Sequence, residues 1–600
     1  MHTKRPLFRN FIFLAALIGL TSFQTAPQAW VRVNLMGYKP GSIKVAVFCS
    51  KGDTPVKSFS VVDETSGEIV FRSKNVKPFG GYGPFKQTYR LDFTTFARAG
   101  RFFIDAGGTV SPVFTIGHQV YAGTSDFCMQ YMRQQRSGYN PFLKDSCHTS
   151  DGYTMYGPMP DSTHVDVSGG WHDATDYLQY SMTSANATYL LLASFRDFPD
   201  VFVDKHLGNG LGGSNGIADV MDEARWGVTW LLKMHPRPEW MFNQLADDRD
   251  HAGFRLPTDD KASYGKGRER PVYFLTGEPQ GLGTYTNRTT GTSSTACKFS
   301  SAFALASQLL ETTDKSLAQL LRQRAFSAYD FALRKEGFTQ TASYREPYFY
   351  EEANWVDDME LALAQLFNIS GEAEYLQKAF QYANREKQTP WLGADTASHY
   401  QWYPFINAGH YEMSKVADTA MRAELMMFYR DGIEKVFQKA DNGFLRGVPF
   451  IWCSNNLLTA FAIQCYWYRK VTGDNRYAEM EQAAFDWLLG CNPWGTSMVV
   501  GFPAWADFPD DPHSSLNYLY GYQTFGGLVD GPVYGTIYRQ QRGVKVYRGD
   551  EYEMFQSDRV VYHDDYGDYV TNEPTMDGTA YLIYLAAAFE ADQPRFHLKR

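Results

Sequence analysis

Hydrophobic and polar residues alternate in short runs over residues 31–116. Turn residues separate the runs at intervals of roughly eight to twelve positions, which is typical of a small antiparallel sandwich. We therefore predict an immunoglobulin-like β-sandwich over residues 30–117. Its predicted strands are VRVNLMGY, KVAVFC, SFSVVDE, EIVFRS, QTYRLDF, GRFFIDAG and SPVFTIG.

After Tyr121 the apolar residues recur at intervals of three and four positions, which predicts amphipathic helices. No strand-like run separates these helices, and no repeat of fixed period is visible, so we predict an all-α barrel or solenoid rather than a repeat array. The loops between them are long and rich in aromatic residues, and long loops are usually functional or disordered. Helices are predicted over 123–136, 181–196, 217–235, 298–312, 315–335, 355–369, 373–386, 412–439, 455–472, 477–490 and 575–591.

Residues 1–29 have the pattern of a secretory signal peptide. Basic residues at positions 4, 5 and 9 precede an apolar run over 11–23, and Ala26 or Ala29 would precede the cleavage site. The apolar run is too short for a good membrane span. We expect a secreted or periplasmic protein without a membrane span, and an uncleaved anchor is the alternative.

The amino-acid composition limits the functions that the protein can have. A chain of 600 residues, 44% hydrophobic and 20% charged, indicates a globular protein of two or more domains. A net charge of −9 argues against a nucleic-acid partner, because no basic excess exists to replace phosphate counterions. The 39 Tyr and 13 Trp favour wet surfaces where rings with polar edges are useful, and sugars are one natural partner. The seven cysteines lack CxxC spacing, which argues against a zinc ribbon or a disulfide framework.

Two acidic, aromatic-rich loops precede predicted helices. SGGWHDATDYLQY contains Asp173 and Asp176, and YHDDYGDYVTNEPTMDGTA contains Asp568 and Glu573. These acids could simply cap helices or favour their positive ends. A glycosidase, however, needs one carboxylic acid to protonate the leaving oxygen and one carboxylate to activate water. Both interpretations stay open on the residues alone.

A series of motifs resolves this ambiguity. In chain order they are QRSG, GGWHDATD, IADVMDEARWGVTWLLKMH, LLGCNPWGTSMVVGF, DDPHSS, GGLVDGPV and DYVTNEPTMDGTA. Together they resemble the motifs of glycoside hydrolase family 9, the inverting cellulase family. The β-domain is similar to the immunoglobulin-like module that precedes the catalytic domain in many members. The resemblance implies an (α/α)6 barrel over residues 118–600 and endoglucanase-like cleavage of β-1,4-glucosidic bonds.

The same resemblance assigns roles to the acids. Asp176 would be the general base, Asp173 would help to hold the attacking water, and Glu573 would be the general acid. An inverting enzyme separates base and acid by about 6.5–9.5 Å to leave room for that water. We expect burial or nearby like charge to raise the pKa of Glu573, and we expect Asp176 to stay ionised.

Several residues are expected to contact the sugar. The resemblance implies that His513 binds a sugar hydroxyl, whereas ring stacking or simple packing remain alternatives for the aromatic residues. Two positions depart from the family pattern: Thr175 replaces a glycine, and Ser515 replaces an arginine. The remaining predicted substrate-binding residues are Trp171, His172, Trp402, Trp452, Tyr518, Asp568 and Tyr569.

Asp357 and Asp358 resemble acids that bind a structural calcium in some relatives. Oxygen ligands suit Ca²⁺, and capping of a helix start is the alternative. We expect no cofactor for the reaction, a β-glucan as the partner, and a monomer.

Three other functions compete with the endoglucanase-like one. They are an exo-acting β-glycosidase on gluco- or glucosamine oligosaccharides, a non-catalytic glycan-binding relic, and a polysaccharide lyase on a similar barrel. The presence of all three acids favours hydrolysis over the relic and the lyase. Endo and exo action both remain open.

Overall fold

The computed structural model describes residues 28–346, 350–593 and 596. The predicted signal peptide therefore lies almost wholly outside the described residues and stays a prediction. The first strand begins at Ala29. Among the described helices, none combines the length and the apolar character that a membrane span needs.

The N-terminal residues form the predicted two-sheet sandwich. One sheet has the order β1-β3-β7-β6, and the other has the order β2-β10-β8-β4-β5 with β9 paired to β8. Inward residues of the alternating runs, such as Phe48 and Val61, are fully buried between the sheets. Strand β6 was not predicted, because Pro78 and two bulges interrupt its alternation. The strands are β1 (Ala29–Arg32), β2 (Gly37–Tyr38), β3 (Val45–Ser50), β4 (Phe59–Asp63), β5 (Ile69–Ser73), β6 (Val76–Tyr82), β7 (Phe85–Asp92), β8 (Gly100–Ala106), β9 (Thr109–Val110) and β10 (Phe114–Ile116).

The rest of the described chain is mainly helical, and all eleven predicted helical segments contain helix. The long segment predicted over 412–439 is two helices, because the Asp418 carboxylate accepts the amide hydrogen of Met421 at 2.9 Å and starts a new helix. The helices are α1 (Thr124–Gln134), α2 (Ser181–Asp197), α3 (Asp219–Met234), α4 (Ser293–Leu310), α5 (Lys315–Ala332), α6 (Val356–Ser370), α7 (Ala373–Glu386), α8 (Ala408–Val416), α9 (Thr419–Lys439), α10 (Ser454–Thr472), α11 (Ala478–Leu488), α12 (Ser515–Tyr520), α13 (Gly535–Tyr538) and α14 (Met576–Ala591).

Twelve of these helices form two concentric rings. In the inner ring α2 packs on α4, α4 on α6, α6 on α8, α10 on α14, and α14 on α2. Tyr411 of α8 stacks on Trp467 of α10 at 4.7 Å and closes the ring. The inner helices pack in turn on α3, α5, α7, α9, α11 and α1. Helix α14 is buried on nearly every side, as expected for a helix surrounded by protein. The fold is an immunoglobulin-like module followed by an (α/α)6 barrel.

The expectation of no strands after Tyr121 is wrong. A four-stranded sheet of order β13-β16-β15-β14 joins the barrel loops, and β14 pairs with β15 through Tyr180 and Gln244. These strands have two to four residues, too few to show a period in the sequence. Their bounds are β11 (Gly138–Asn140), β12 (Asp145–Cys147), β13 (Tyr153–Met155), β14 (Gln179–Tyr180), β15 (Phe242–Leu245), β16 (Pro271–Phe274), β17 (Val533–Tyr534) and β18 (Val560–Val561).

Buried hydrogen bonds fix the β-module to the barrel. The amide of Leu35 donates to the Leu489 carbonyl at 2.8 Å. Asn34 Nδ2 donates to Asp486 Oδ1 at 2.8 Å, and burial raises the pKa of Asp486 to about 7. Because these groups are buried, separating the two domains would leave them unpaired unless water replaced the contacts.

Candidate active site

A cleft of about 740 Å³ is lined by loops of the barrel and contains two of the three predicted catalytic acids. Asp176 and Glu573 line the cleft. Asp173 is 3% exposed and lies next to them in the same loop as Asp176. The volume falls within the range of ordinary ligand sites. The fold thus brings together acids from opposite ends of the barrel sequence.

Asp176 is paired with a histidine. Its Oδ2 contacts His251 Nε2 at 3.1 Å. Burial disfavours the imidazolium, but the hydrogen bond and charge of Asp176 outweigh it and raise the pKa of His251 to about 9. Asp176 Oδ1 is buried and has no hydrogen-bond partner among the described residues, so it can accept a proton. The capping alternative is wrong for Asp176, because α2 begins after Tyr180 with no side-chain cap.

Asp173 is held by hydroxyl donors. Thr183 Oγ1 donates to Oδ1 at 3.1 Å, and the Tyr350 hydroxyl donates to Oδ2. Its main-chain carbonyl accepts the amide hydrogen of Met576 at 2.9 Å and joins the loop to the start of α14. Burial, followed by the charges of Asp577 and Asp176, raises the pKa of Asp173 well above its usual range. Asp173 is therefore a fixed neighbour of Asp176 rather than a solvated one.

Glu573 lies just before α14. The amide of Thr175 donates to its Oε1 at 3.1 Å, and its main-chain carbonyl accepts the amide hydrogen of Asp530 at 2.9 Å. Burial, followed by the charges of Asp176 and Asp530, raises the pKa of Glu573 well above its usual range. This confirms the predicted direction of the shift. A carboxyl group that keeps its proton near neutral pH is what a general acid requires.

Two further buried acids border this group, and the sequence analysis did not identify either. Asp530 Oδ2 accepts from Trp452 Nε1 at 3.0 Å, and Asp577 accepts from the Tyr400 hydroxyl at 3.0 Å. Burial raises the pKa of Asp577 to about 6 and that of Asp530 well above its usual range. Both lie within recognised motifs, GGLVDGPV and DYVTNEPTMDGTA, so attention to every acid in those motifs would have found them.

The two departures from the family pattern contact each other. Thr175 Oγ1 accepts the amide hydrogen of Ser515 at 2.6 Å and donates to Ser515 Oγ at 3.2 Å. Ser515 Oγ also accepts the amide hydrogen of Arg255 at 3.3 Å. The added hydroxyl of Thr175 therefore joins three cleft segments, while the amide of the same residue binds Glu573.

Three predicted substrate-binding residues line the cleft: His513, Trp452 and Tyr569. His513 Nδ1 lies 2.5 Å from the Tyr566 carbonyl and is assigned as the donor, since a carbonyl can only accept. Burial lowers the pKa of His513, so the ring is neutral and Nε2 is an acceptor. Tyr518 does not line the cleft but its ring lies 4.7 Å from Phe254, which does.

The other predicted substrate contacts do not reach the cleft. Trp171 is fully buried and donates to Glu223 at 2.7 Å. His172 is 1% exposed. Asp568 is fully buried and accepts the amide hydrogen of Val570 at 2.9 Å, so it shapes the loop before Glu573. Trp402 is half-buried against the core and does not line the cleft.

Comparison with known proteins places this geometry in a family. The family model described as Glycosyl hydrolase family 9 matches residues 121–586. The chain belongs to glycosyl hydrolase family 9. A second model, the Cellulase N-terminal ig-like domain, matches residues 26–111 of this family 9 enzyme. Both the glycoside hydrolase activity class and the two-domain architecture predicted from the motifs are confirmed.

Curated relatives and solved structures cover most of the family 9 chain. A cellodextrinase of Butyrivibrio fibrisolvens is 25% identical, covering 78% of this chain and 84% of its own length. A xyloglucan-specific endo-beta-1,4-glucanase of Bacteroides ovatus is 22% identical over 95% of both chains. The structure of a metagenome-derived glycoside hydrolase family 9 endoglucanase has a TM-score of 0.74 and 26% identity, covering 94% of this chain and 99% of its own.

One of the two predicted calcium ligands of this family 9 enzyme, Asp358, contacts a lysine. Lys298 Nζ lies 2.6 Å from Asp358 and 2.5 Å from Glu352, and all three side chains are buried. Asp357 accepts from Asn354 Nδ2 at 2.9 Å. Lys298 already supplies one positive charge to this group. The calcium site stays a prediction.

A different set of residues has the donors of a metal site. Ligand atoms of Cys147, His148 and His172 all lie within 4.8 Å of one another. Burial lowers the pKa of both histidines, as zinc ligation requires, but it raises the pKa of the Cys147 thiol to about 12, and His148 Nδ1 contacts His172 Nε2 at 3.0 Å. His148 Nε2 contacts Asp260 at 3.0 Å, an orienting bond that metal-binding histidines usually have. The cysteine spacing in the sequence did not indicate this group, and all seven cysteines are free.

Proposed function

We propose that this family 9 enzyme is a secreted, inverting hydrolase of β-1,4-linked glucans. The observation that carries the proposal is the contrast between Asp176 and Glu573 in one cleft. Asp176 is paired with the His251 imidazolium and has a buried oxygen with no partner among the described residues. Glu573 has a pKa raised by burial and by nearby carboxylates. These are the environments of a base and an acid, respectively.

The proposed reaction is a single displacement. Asp176 Oδ1 takes a proton from water as the water oxygen forms a bond to the anomeric carbon, and Asp173 helps to orient that water. The bond from the anomeric carbon to the leaving oxygen breaks, and Glu573 gives that oxygen its proton. The Thr175 amide binds Glu573 Oε1, which leaves Oε2 for the proton that is donated. The product has the inverted α-configuration.

The substrate class rests on the relatives and on the cleft surface. The cellodextrinase and xyloglucan-specific endoglucanase names both describe β-1,4-glucan substrates. Trp452 and Tyr569 offer rings for sugar faces, and neutral His513 offers an acceptor for a hydroxyl. The N-terminal apolar pattern supports secretion.

The test is hydrolysis across a glycan panel by the purified enzyme. Soluble β-glucan, mixed-linkage glucan, xyloglucan and glucosamine oligomers would be compared, with product sizes followed over time and anomers followed by proton NMR. We expect the α-anomer first. Random shortening would indicate endo action, and one small product from the start would indicate exo action.

Two substitutions test the assigned roles. Asp176→Asn and Glu573→Gln should each lower kcat by about two to four orders of magnitude, the usual scale of general acid–base catalysis. Asp558→Asn makes the same chemical change on a fully exposed side chain and should leave kcat unchanged. Unchanged kcat in either cleft variant would refute that role. A β-anomer as first product would rule out inversion, and ultraviolet-absorbing products would indicate a lyase.

A further inference from the structure

Aromatic rings continue from the cleft onto the neighbouring surface. Phe254 lines the cleft, and its ring centroid lies 4.7 Å from that of Tyr518. Tyr518 lies 4.5 Å from Tyr566, which in turn stacks on Tyr547 at 4.9 Å with planes 7° apart. These four residues form a surface that we term the aromatic ledge. It contacts the predicted substrate-binding residues directly, because Phe254 lies 4.9 Å from His513.

Two rings of the aromatic ledge are open to solvent. Tyr518 is 45% exposed and Tyr547 is 52% exposed. A buried tyrosine gains stability from its large apolar area, and that gain is only partly realised when half of the residue stays in water. Packing alone therefore does not account for two half-exposed rings on a surface that continues from the cleft. A flat apolar face with a phenol edge suits a ligand that has both C–H faces and hydroxyl groups.

The exposed ring of Tyr547 is held in place by buried groups. Asp565 is 1% exposed, and its Oδ2 accepts the amide hydrogens of Tyr547 at 2.7 Å and Arg548 at 2.8 Å. A Cβ at Gly567 would lie 2.6 Å from the Tyr547 ring, so glycine makes room for the ring against this loop. Ordering the backbone before a ligand arrives reduces the entropy lost on binding.

We propose that the aromatic ledge binds sugar units of a long β-glucan chain beyond those at the catalytic acids. The proposal rests on the proposed function of the cleft. Sugar units would contact the exposed parts of the Tyr518 and Tyr547 rings, and the phenol groups and Lys545, whose Nζ lies 4.6 Å from the Tyr547 ring centroid, would meet hydroxyls. A glycan is favoured as occupant because the ledge begins at Phe254 inside the cleft, so one extended chain can occupy both surfaces.

The experiment compares long and short substrates. Steady-state kinetics of Tyr518→Ala and Tyr547→Ala would be measured on a long soluble β-1,4-glucan and on an aryl cellobioside. We expect the ratio of kcat/KM for the long substrate to that for the short one to fall about five- to tenfold in each variant, the range for loss of one ring contact. The change should come from KM of the long substrate.

Tyr520→Ala is the matched control. Tyr520 lies on the same short helix, α12, is 59% exposed, and stacks on Tyr522 instead of on a ring of the ledge. In Tyr520→Ala, the ratio of kcat/KM for the long substrate to kcat/KM for the short one should equal that of the wild type. An unchanged ratio in both ledge variants, or an equal fall in Tyr520→Ala, would overturn the proposal.

The proposal remains testable if its premise fails. If the wild type hydrolyses no glucan, the proposed function is wrong, and calorimetry with cellohexaose would then decide about the ledge. An affinity about five- to tenfold weaker in the ledge variants would support glycan binding, because this is the range for loss of one ring contact. Equal affinities would refute it. Light scattering would test whether the ledge instead contacts a second copy of the chain. Dissociation of an oligomer by Tyr547→Ala, with an unchanged ratio of kcat/KM on the long substrate to kcat/KM on the short one, would overturn the glycan proposal in favour of that contact.

Discussion

Two groups of buried acids in the barrel differ in how their charge is balanced. In one, Glu352 and Asp358 both contact Lys298. In the cleft, Asp173 and Glu573 accept hydrogen bonds from hydroxyl and amide donors, and among the described residues neither forms an ion pair with a lysine or arginine. The first group contains its own cation, whereas Asp173 and Glu573 contact none directly in the described part of the chain, and burial raises the pKa of both.

A raised pKa does not distinguish these groups. Burial raises the pKa of Glu352 to about 8 and that of Asp358 to about 6, and it also raises the pKa of Glu573. What differs is position: Glu573 lines an open cleft, and Glu352 is fully buried. A perturbed carboxyl group indicates a reactive site only when a substrate can reach it.

The largest effect is expected from removing the cation of the first group, Lys298. Lys298→Met would leave Glu352 and Asp358 buried without a partner, and such losses usually lower the free energy of unfolding by about 3–5 kcal/mol. Urea denaturation would measure the loss. Lys261→Met, at a side chain that is 81% exposed, is the control and should change stability little. A loss equal to that of the control would show that the buried pairs contribute nothing.

Removing the cation of the cleft should have a smaller effect. His251→Asn takes away an imidazolium, with a pKa raised to about 9, that contacts Asp176 Oδ2 at 3.1 Å. We expect kcat/KM to fall about tenfold at pH 7, where His251 is charged, and the difference between the wild type and the variant to shrink as the pH rises through about 9. His164→Asn removes an exposed histidine that contacts Glu269, and it should leave the profile in place. An unchanged kcat/KM in His251→Asn at pH 7 would contradict the pairing.

The smallest effect is expected at Asp530. Asp530→Asn removes a titratable carboxyl group next to Glu573 and keeps an acceptor for Trp452. The pKa of Glu573 should fall, and the basic limb of the pH profile should move to lower pH. The pH dependence of kcat/KM checks this. A shift to higher pH would show that Asp530 does not raise the pKa of Glu573 through its charge.

Periodicity predicted the helices well because each one packs an apolar face, but it could not predict the short strands. Strand β14 has two residues and exists because Tyr180 pairs with Gln244, far along the chain. The split between α8 and α9 depends on one capping carboxylate at Asp418, which continuous apolar spacing conceals. Local patterns therefore predict the long helices, whereas the short strands depend on pairing between distant segments.

The candidate site also divides into residues that local motifs predict and residues that only contacts between distant segments reveal. Motifs placed Asp176 and Glu573 in one cleft, and both line it. His251 was not identified from the sequence, because its contact with Asp176 spans 75 positions. Tyr350, which donates to Asp173 across 177 positions, had no motif to mark it. Side chains that tune a catalytic acid from another segment leave no local pattern in one sequence.

The hydroxyl contact between Thr175 and Ser515 has an evolutionary consequence. The two positions are 340 residues apart in the chain but share two hydrogen bonds beside Glu573. Loss of the Thr175 hydroxyl would leave the buried amide of Ser515 without this acceptor, and loss of the Ser515 hydroxyl would leave the Thr175 hydroxyl without its own acceptor. Selection should therefore treat them as one unit, so that in an alignment of relatives threonine at position 175 and serine at position 515 appear and disappear together.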